Sequence, residues 1–186
     1  MDIFEAIRDG NMKRMLYFLK VHCVDPDERD RHGQTPLHLV VGLQDGPIAI
    51  EMVCVLVQQH DADINATDAY DMTCLMHCVR RNKYDLATIL VYQGADLNIA
   101  CLKMTPLLEA IFHGYNDLAL LLISRGADIE LADVLGYTPL RLAAVLRNEM
   151  VVSVLVDRIE PKLRLSCGYA TYVLPPPRRN MGSDVT

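Results

Sequence analysis

Several clusters in this 186-residue sequence have residue types suited to chemistry. Cys74-Leu75-Met76-His77-Cys78 puts two thiols and an imidazole on a short stretch. Residues four apart share one face of a helix, so Cys74 and Cys78 have the look of a metal cluster. His38 has the side chain of a general base. Asp25 with Asp27, and Asp61 with Asp63, are paired carboxylates of the kind used in acid–base work or calcium ligation. Each cluster lacks something. No second Cys/His pair stands nearby at zinc-ligand spacing, and neither aspartate pair opens an EF-hand ligand series. The chain holds no Gly-x-Gly-x-x-Gly, phosphate loop, His-Glu-x-x-His or Gly-x-Ser-x-Gly. The expectation is therefore a non-enzymatic protein with no catalytic residue, cofactor or metal.

The elements that must position these residues repeat along the chain. Thr35-Pro36-Leu37-His38, Thr73-Cys74-Leu75-Met76, Thr105-Pro106-Leu107-Leu108 and Thr138-Pro139-Leu140-Arg141 share a start, with threonines 38, 32 and 33 residues apart. A second signature runs between them: Ala62-Asp63-Ile64-Asn65, Gly94-Ala95-Asp96-Leu97-Asn98 and Gly126-Ala127-Asp128-Ile129-Glu130. A threonine before a proline predicts a helix start, because the hydroxyl caps free N–H groups and proline suits the first turn. A second apolar stripe follows each start at helical spacing, and the Gly-Ala-Asp stretch closes it with a left-handed residue. Asp133-Val134-Leu135-Gly136 reads as a turn into the next threonine. One such unit buries only part of its apolar surface, so the units must stack.

Repeat phase changes the meaning of the first cluster. Cys74 takes the proline position, Cys78 a small buried position matched by Ala110 and Ala143, and only His77 lies at a variable position. The thiols are then expected to pack as small hydrophobes.

These in-phase motifs resemble the ankyrin repeat over roughly residues 1–160. The resemblance implies an all-α solenoid of about five helix-turn-helix units with β-hairpin fingers. The units fall at approximately 1–27, 28–65, 66–98, 99–130 and 131–160, followed by a proline-containing tail, 161–186, that caps the last unit in part or stays disordered. It also implies that His38 joins the hydrogen-bond network of its capping threonine, and that the two aspartate pairs belong to turns. The pattern has departures. The second unit carries five extra residues in the turn Gly42-Leu43-Gln44-Asp45-Gly46-Pro47. The finger Asn98 to Thr105 is one residue short, with Cys101-Leu102-Lys103 in place of Asp-x-x-Gly.

Composition narrows the class. The chain is 51% hydrophobic and 23% charged with a net charge of -6, which suits a packed acidic protein and not a basic nucleic-acid binder. No apolar run approaches a membrane span, and the opening Met-Asp-Ile-Phe-Glu is not a signal peptide. Six cysteines without such a signal read as reduced thiols, placing the protein in cytoplasm or nucleus.

The resemblance implies a partner-binding concave face made of finger tips and the ends of the first helices. Carried over by phase, it comprises Arg31, His32, Gln34, Tyr70, Met72, Arg80, Arg81, Leu102, Lys103, Met104, Phe112, His113, Val134, Leu135 and Tyr137, adjoined by Ala69, Val145 and Leu146. The trend is polar and cationic first, then apolar, which suggests a protein interface. Tyr70 and Met72 are the foremost candidates, because a folded-over tail would reach only Val145 and Leu146. The expected partner is another protein, with no membrane, nucleic acid or small-molecule substrate.

Small ankyrin proteins include inhibitors of NF-κB/Rel factors and of cyclin-dependent kinases. The long turn followed by Ala49-Ile50, Val53, Leu56 and Ala62-Asp63-Ile64-Asn65-Ala66 is similar to truncated viral relatives of the former. An adaptor or stoichiometric inhibitor is the resulting expectation. The alternative is a substrate adaptor of a ubiquitin ligase, since Pro161-Lys162-Leu163, Ser166-Cys167 and Leu174-Pro175 resemble fragments of a SOCS box.

Overall fold

The computed structural model describes residues 2–44 and 46–166, with 160–166 given by their helical backbone alone. Among these residues are ten helices: α1 (Ile3–Arg8), α2 (Met12–Val21), α3 (Pro36–Gly42), α4 (Pro47–His60), α5 (Cys74–Arg80), α6 (Tyr84–Tyr92), α7 (Pro106–Phe112), α8 (Asn116–Ser124), α9 (Pro139–Val145) and α10 (Glu149–Ser166). They pack as antiparallel pairs, α1 with α2 through α9 with α10. The first helices also pack on one another in the order α1, α3, α5, α7, α9, and the second helices in the order α2, α4, α6, α8, α10. The result is a two-row, all-α stack.

The repeated threonines begin the first-row helices from an extended backbone. Thr73, Thr105 and Thr138 each accept a hydrogen bond from the backbone N–H three residues on, at 3.2, 3.2 and 3.4 Å. Proline follows directly at α3, α7 and α9, where its missing N–H costs nothing. Cys74 replaces it at α5.

Four of the five reversals from first to second helix use one left-handed residue: Gly10, Asn82, Gly114 and Arg147. In all four the next N–H returns to a small residue, with Asn11 N to Ala6 O, Lys83 N to Cys78 O, Tyr115 N to Ala110 O and Asn148 N to Ala143 O each at 2.9 Å. Those small side chains are fully buried because the paired helices cross there. The long second-unit turn departs from this form. Its Leu43 carbonyl accepts from the Lys83 ammonium of the next pair, which anchors the extra residues to the stack.

The core is one continuous aliphatic seam. The pairs Met52 with Leu56, Leu86 with Leu90, Leu118 with Leu122 and Val151 with Leu155 stand four apart on successive second helices and are at most 1% exposed. Each such side chain contributes about 1.5–3 kcal/mol by leaving water, so the absence of tryptophan is no handicap.

Two expectations are modified by the structure. The second and third fingers are turns closed by single bridges, Thr67 to Thr73 and Cys101 to Met104, and no finger forms extended strands among the described residues. Helix α10 runs on to Ser166, past the expected end of the last unit at 160. The remainder of the tail, 167–186, lies outside the described residues.

Candidate functional site

Three fingers share one construction, each organised by an aspartate five residues before the threonine. Asp30 Oδ1 accepts from His32 N at 2.8 Å and Gln34 N at 3.0 Å. Asp68 Oδ1 accepts from Tyr70 N at 2.8 Å and Met72 N at 3.2 Å, and Asp133 Oδ1 from Leu135 N at 2.8 Å and Tyr137 N at 2.9 Å. The carboxylate satisfies the N–H groups of a tight turn and projects the two tip residues outward. Gly33 closes the first of these turns at φ 71, and a Cβ there would lie 3.0 Å from Ala69 N of the next finger. Neighbouring fingers therefore touch.

Beneath the second finger lies a buried polar cluster. Thr35 N donates to His38 Nδ1 at 3.3 Å, and Thr35 Oγ1 lies 2.8 Å from the same nitrogen. His38 Nε2 then carries the proton and donates to Met72 O at 3.1 Å. His77 Nε2 donates to Asp68 Oδ2 at 2.7 Å, and the two imidazoles meet edge to face at 5.7 Å. Burial pushes both histidines below the usual 6.5, in His38 against the pull of the Met72 carbonyl and in His77 against that of Asp68. Burial raises Asp68, but the bonds from His77, Tyr70 and Met72 outweigh it and leave the carboxyl below 3.8. Neutral imidazoles on a carboxylate-braced turn form a positioning device. The Asp68 carboxylate, the Thr35 hydroxyl and both ring nitrogens of His38 already have partners within the fold.

A second polar link ties this finger to the next unit. Arg80 Nε donates to Glu109 Oε1 at 2.7 Å, Arg80 Nη1 lies 3.0 Å from Met72 Sδ, and His113 Nε2 stands 3.5 Å from the same Glu109 oxygen. Glu109 is buried on α7. Its phase is filled by Leu39 and Leu142 in sister units and by His77 in the third, so a polar residue in a mostly apolar phase is the signal that could have found it.

The third finger is built differently. Cys101 N and O both bond to Met104, at 3.0 and 2.9 Å, leaving a two-residue loop. Leu102 and Lys103 both adopt left-handed backbone, at φ 50 and φ 62. Cys101 Sγ, in the aspartate's place, donates to Tyr70 O at 3.3 Å and so joins this finger to the second.

The sequence-expected site residues divide in two. Arg31, His32, Tyr70, Arg80, Arg81, Leu102, Lys103, Phe112, His113, Val134 and Leu135 are exposed along the fingers and the ends of the first-row helices. Gln34, Met72, Met104 and Tyr137 are half-buried at the finger bases. Met72 in particular serves the scaffold, with its carbonyl on His38, its N–H on Asp68 and its sulfur against Arg80.

The other chemical candidates take scaffold positions. Cys74 and Cys78 are fully buried, and burial, aided by Cys78, drives the Cys74 thiol well above 9.0. Among the described residues no group of three or more His, Cys, Asp or Glu is placed to hold a metal ion. Asp27 accepts from Asp63 N at 2.9 Å, and Asn65 and Asn98 repeat that bond to Asp96 N and Asp128 N, each at 2.8 Å. Burial raises the Asp27 carboxyl against that backbone bond, and the charges of Asp63 and Asp25 add to the rise. One member of each aspartate pair, Asp27 and Asp63, thus forms a rung linking successive turns. Two surface depressions, of about 440 and 460 Å³, lie at Asn98, Asp128 and Arg158 and at Tyr84, Tyr92 and Arg125, away from the histidine cluster. Among the described residues no helix is long and apolar enough to cross a membrane.

Comparison with known proteins agrees with this architecture. Residues 3–101 and 75–164 each match the family model described as ankyrin repeats (3 copies). Over 95 residues the chain is 30% identical to the transient receptor potential channel pyrexia of Drosophila melanogaster, a match covering 50% of this chain and 9% of that protein.

Proposed function

The chain belongs to the ankyrin-repeat family, and on that premise we propose that its finger face holds one protein partner, as an adaptor or a stoichiometric inhibitor without catalysis. Ankyrin repeats are a scaffold for protein–protein interaction. The observation that carries the reading is the row of apolar side chains held outward at successive finger tips: Tyr70, Leu102, Val134 and Leu135, at 71%, 82%, 67% and 74% exposure. Large side chains in that state add nothing to the core, and a partner that covers them removes their apolar surface from water. The fingers are braced from below, so the face is pre-organised and little ordering cost opposes binding.

Inhibition of an NF-κB/Rel-like or cyclin-dependent-kinase-like target is the finer form of this reading. The NF-κB/Rel form rests on the motif likeness in the second unit, and the cyclin-dependent-kinase form is an alternative to it. The ubiquitin-ligase alternative depends on residues 161–186, most of which lie outside the described residues.

The test is affinity capture with the full chain, wild type against Tyr70→Ser with Leu135→Ser, followed by light scattering on the reconstituted complex. A protein retained by the wild type, lost with the variant and bound one to one supports the reading. Partners retained equally by both proteins would overturn it.

A further inference from the structure

The third finger carries an expense of conformation that the fold does not require. A two-residue loop with both residues left-handed is the natural place for Asn-Gly, since other side chains meet their own backbone there. Here it holds Leu102 and Lys103, at φ 50 and φ 62, and Leu102 is 82% exposed. The other fingers place Gly33, Asp71 and Gly136 at their left-handed positions, residue types that tolerate it. A strained loop that displays a bare leucine and a lysine is poor for stability and suited to contact.

Charge around that loop is one-sided. The exposed charges on this face in the third and fourth units are Arg80, Arg81 and Lys103 against Asp71. The second-row helices α4, α6 and α8 expose Glu51, Asp85 and Asp117 and contain no lysine or arginine. Within the third and fourth units the finger face is therefore more favourable to an acidic partner than the helices of the second row. Arg80 and Cys101 link the second finger, the third finger and α7 through Met72, Tyr70 and Glu109, so these cations border one continuous patch. The chain's own residues 167–186 carry Arg178 and Arg179 against Asp184 and do not complement it.

We propose that the third finger is the docking point for a protein segment in which acidic side chains flank large apolar ones, with Leu102 as the apolar anchor and Lys103 and Arg81 as its ionic neighbours. This rests on the protein-binding reading above and gives its partner a chemistry. The apolar component sets the surface apart from a nucleic-acid site, where phosphate contacts alone supply most of the affinity.

The full chain is titrated, by fluorescence anisotropy, with labelled peptides alternating Glu with Leu and Phe, the same with Lys for Glu, and the same with Ser for Leu and Phe, and with oligo-dT. The first peptide is expected to bind and to weaken with added salt. Leu102→Asn with Lys103→Gly is expected to weaken it by about tenfold while raising the melting temperature, a pairing that a structural role for the loop would not produce. Arg81→Glu is expected to weaken it similarly.

Equal binding of the Lys peptide, the Ser peptide or oligo-dT, or no binding of the first peptide, overturns the proposal. So does self-association by sedimentation that Leu102→Asn with Lys103→Gly abolishes, which would assign the patch to a second copy. A captured partner that depends on Tyr70 and Leu135 but not on Leu102 or Arg81 would leave the general function standing and overturn this inference alone.

Discussion

His77 Nε2 donates to Asp68 Oδ2 at 2.7 Å, and the other oxygen of that carboxylate accepts the N–H groups of Tyr70 and Met72. One buried carboxylate thus fastens a finger to the helix it precedes. Asp68→Ala removes all three bonds and leaves a buried imidazole N–H unpaired. We expect it to lower unfolding stability by about 2–3 kcal/mol, measured by urea denaturation.

Acid should loosen this region in two steps. His38 and His77 titrate near 6.5 when unfolded but resist protonation when folded. Below about 6.5 the unfolded chain binds more protons, so stability falls as pH falls and levels off only below the folded values. Asp68, depressed below 3.8, contributes stability above that pH and loses it as pH drops through its folded value. Denaturation midpoints from pH 8 to 4 should decline from about 6.5 downward. The variant His38→Gln with His77→Gln, less stable at neutral pH, should show a shallower slope. An unchanged slope would contradict the assignment.

Arg80→Ala should cost about 1–2 kcal/mol, because it leaves Glu109 buried without its guanidinium partner while Arg80 itself is part-screened by solvent. Adding Glu109→Leu, the residue type that sister units carry in this phase, should recover much of the loss. Parallel urea curves for the single and double variants measure the coupling.

The thiols should separate by reactivity. Cys23 is exposed, whereas Cys74 and Cys78 are buried and the Cys74 thiol is pushed well above 9.0. Alkylation of native protein followed by mass mapping should modify Cys23 first, with Cys74 and Cys78 reacting only after denaturation.

The repeat phase carried much of this structure because it encodes local physics. Thr73 and Thr105 cap their helices through backbone groups three residues away, and Ala110 and Ala143 must be small wherever helices cross. Such requirements recur in every unit and show in one dimension. Glu109 and Asp68 were not singled out, because their partners, Arg80 and His77, stand 29 and 9 residues away and pair only once the units are stacked and the finger is folded back. Met72 shows the same limit. Its phase marks a tip residue, but the neighbouring His38 and Arg80 turn it into part of the support.

The amino-acid sequence by itself determined the helices, their caps, their order and the all-α stack, since each depends on side chains within a few positions of the backbone they satisfy. It also set the missing residue of the third finger. Tertiary structure alone decided what that deletion means: with Cys101 and Met104 closing the loop, Leu102 and Lys103 are forced left-handed and outward. Likewise only stacking decided which polar residues became buried braces and which stayed exposed, because burial is a property of neighbours that local sequence does not contain.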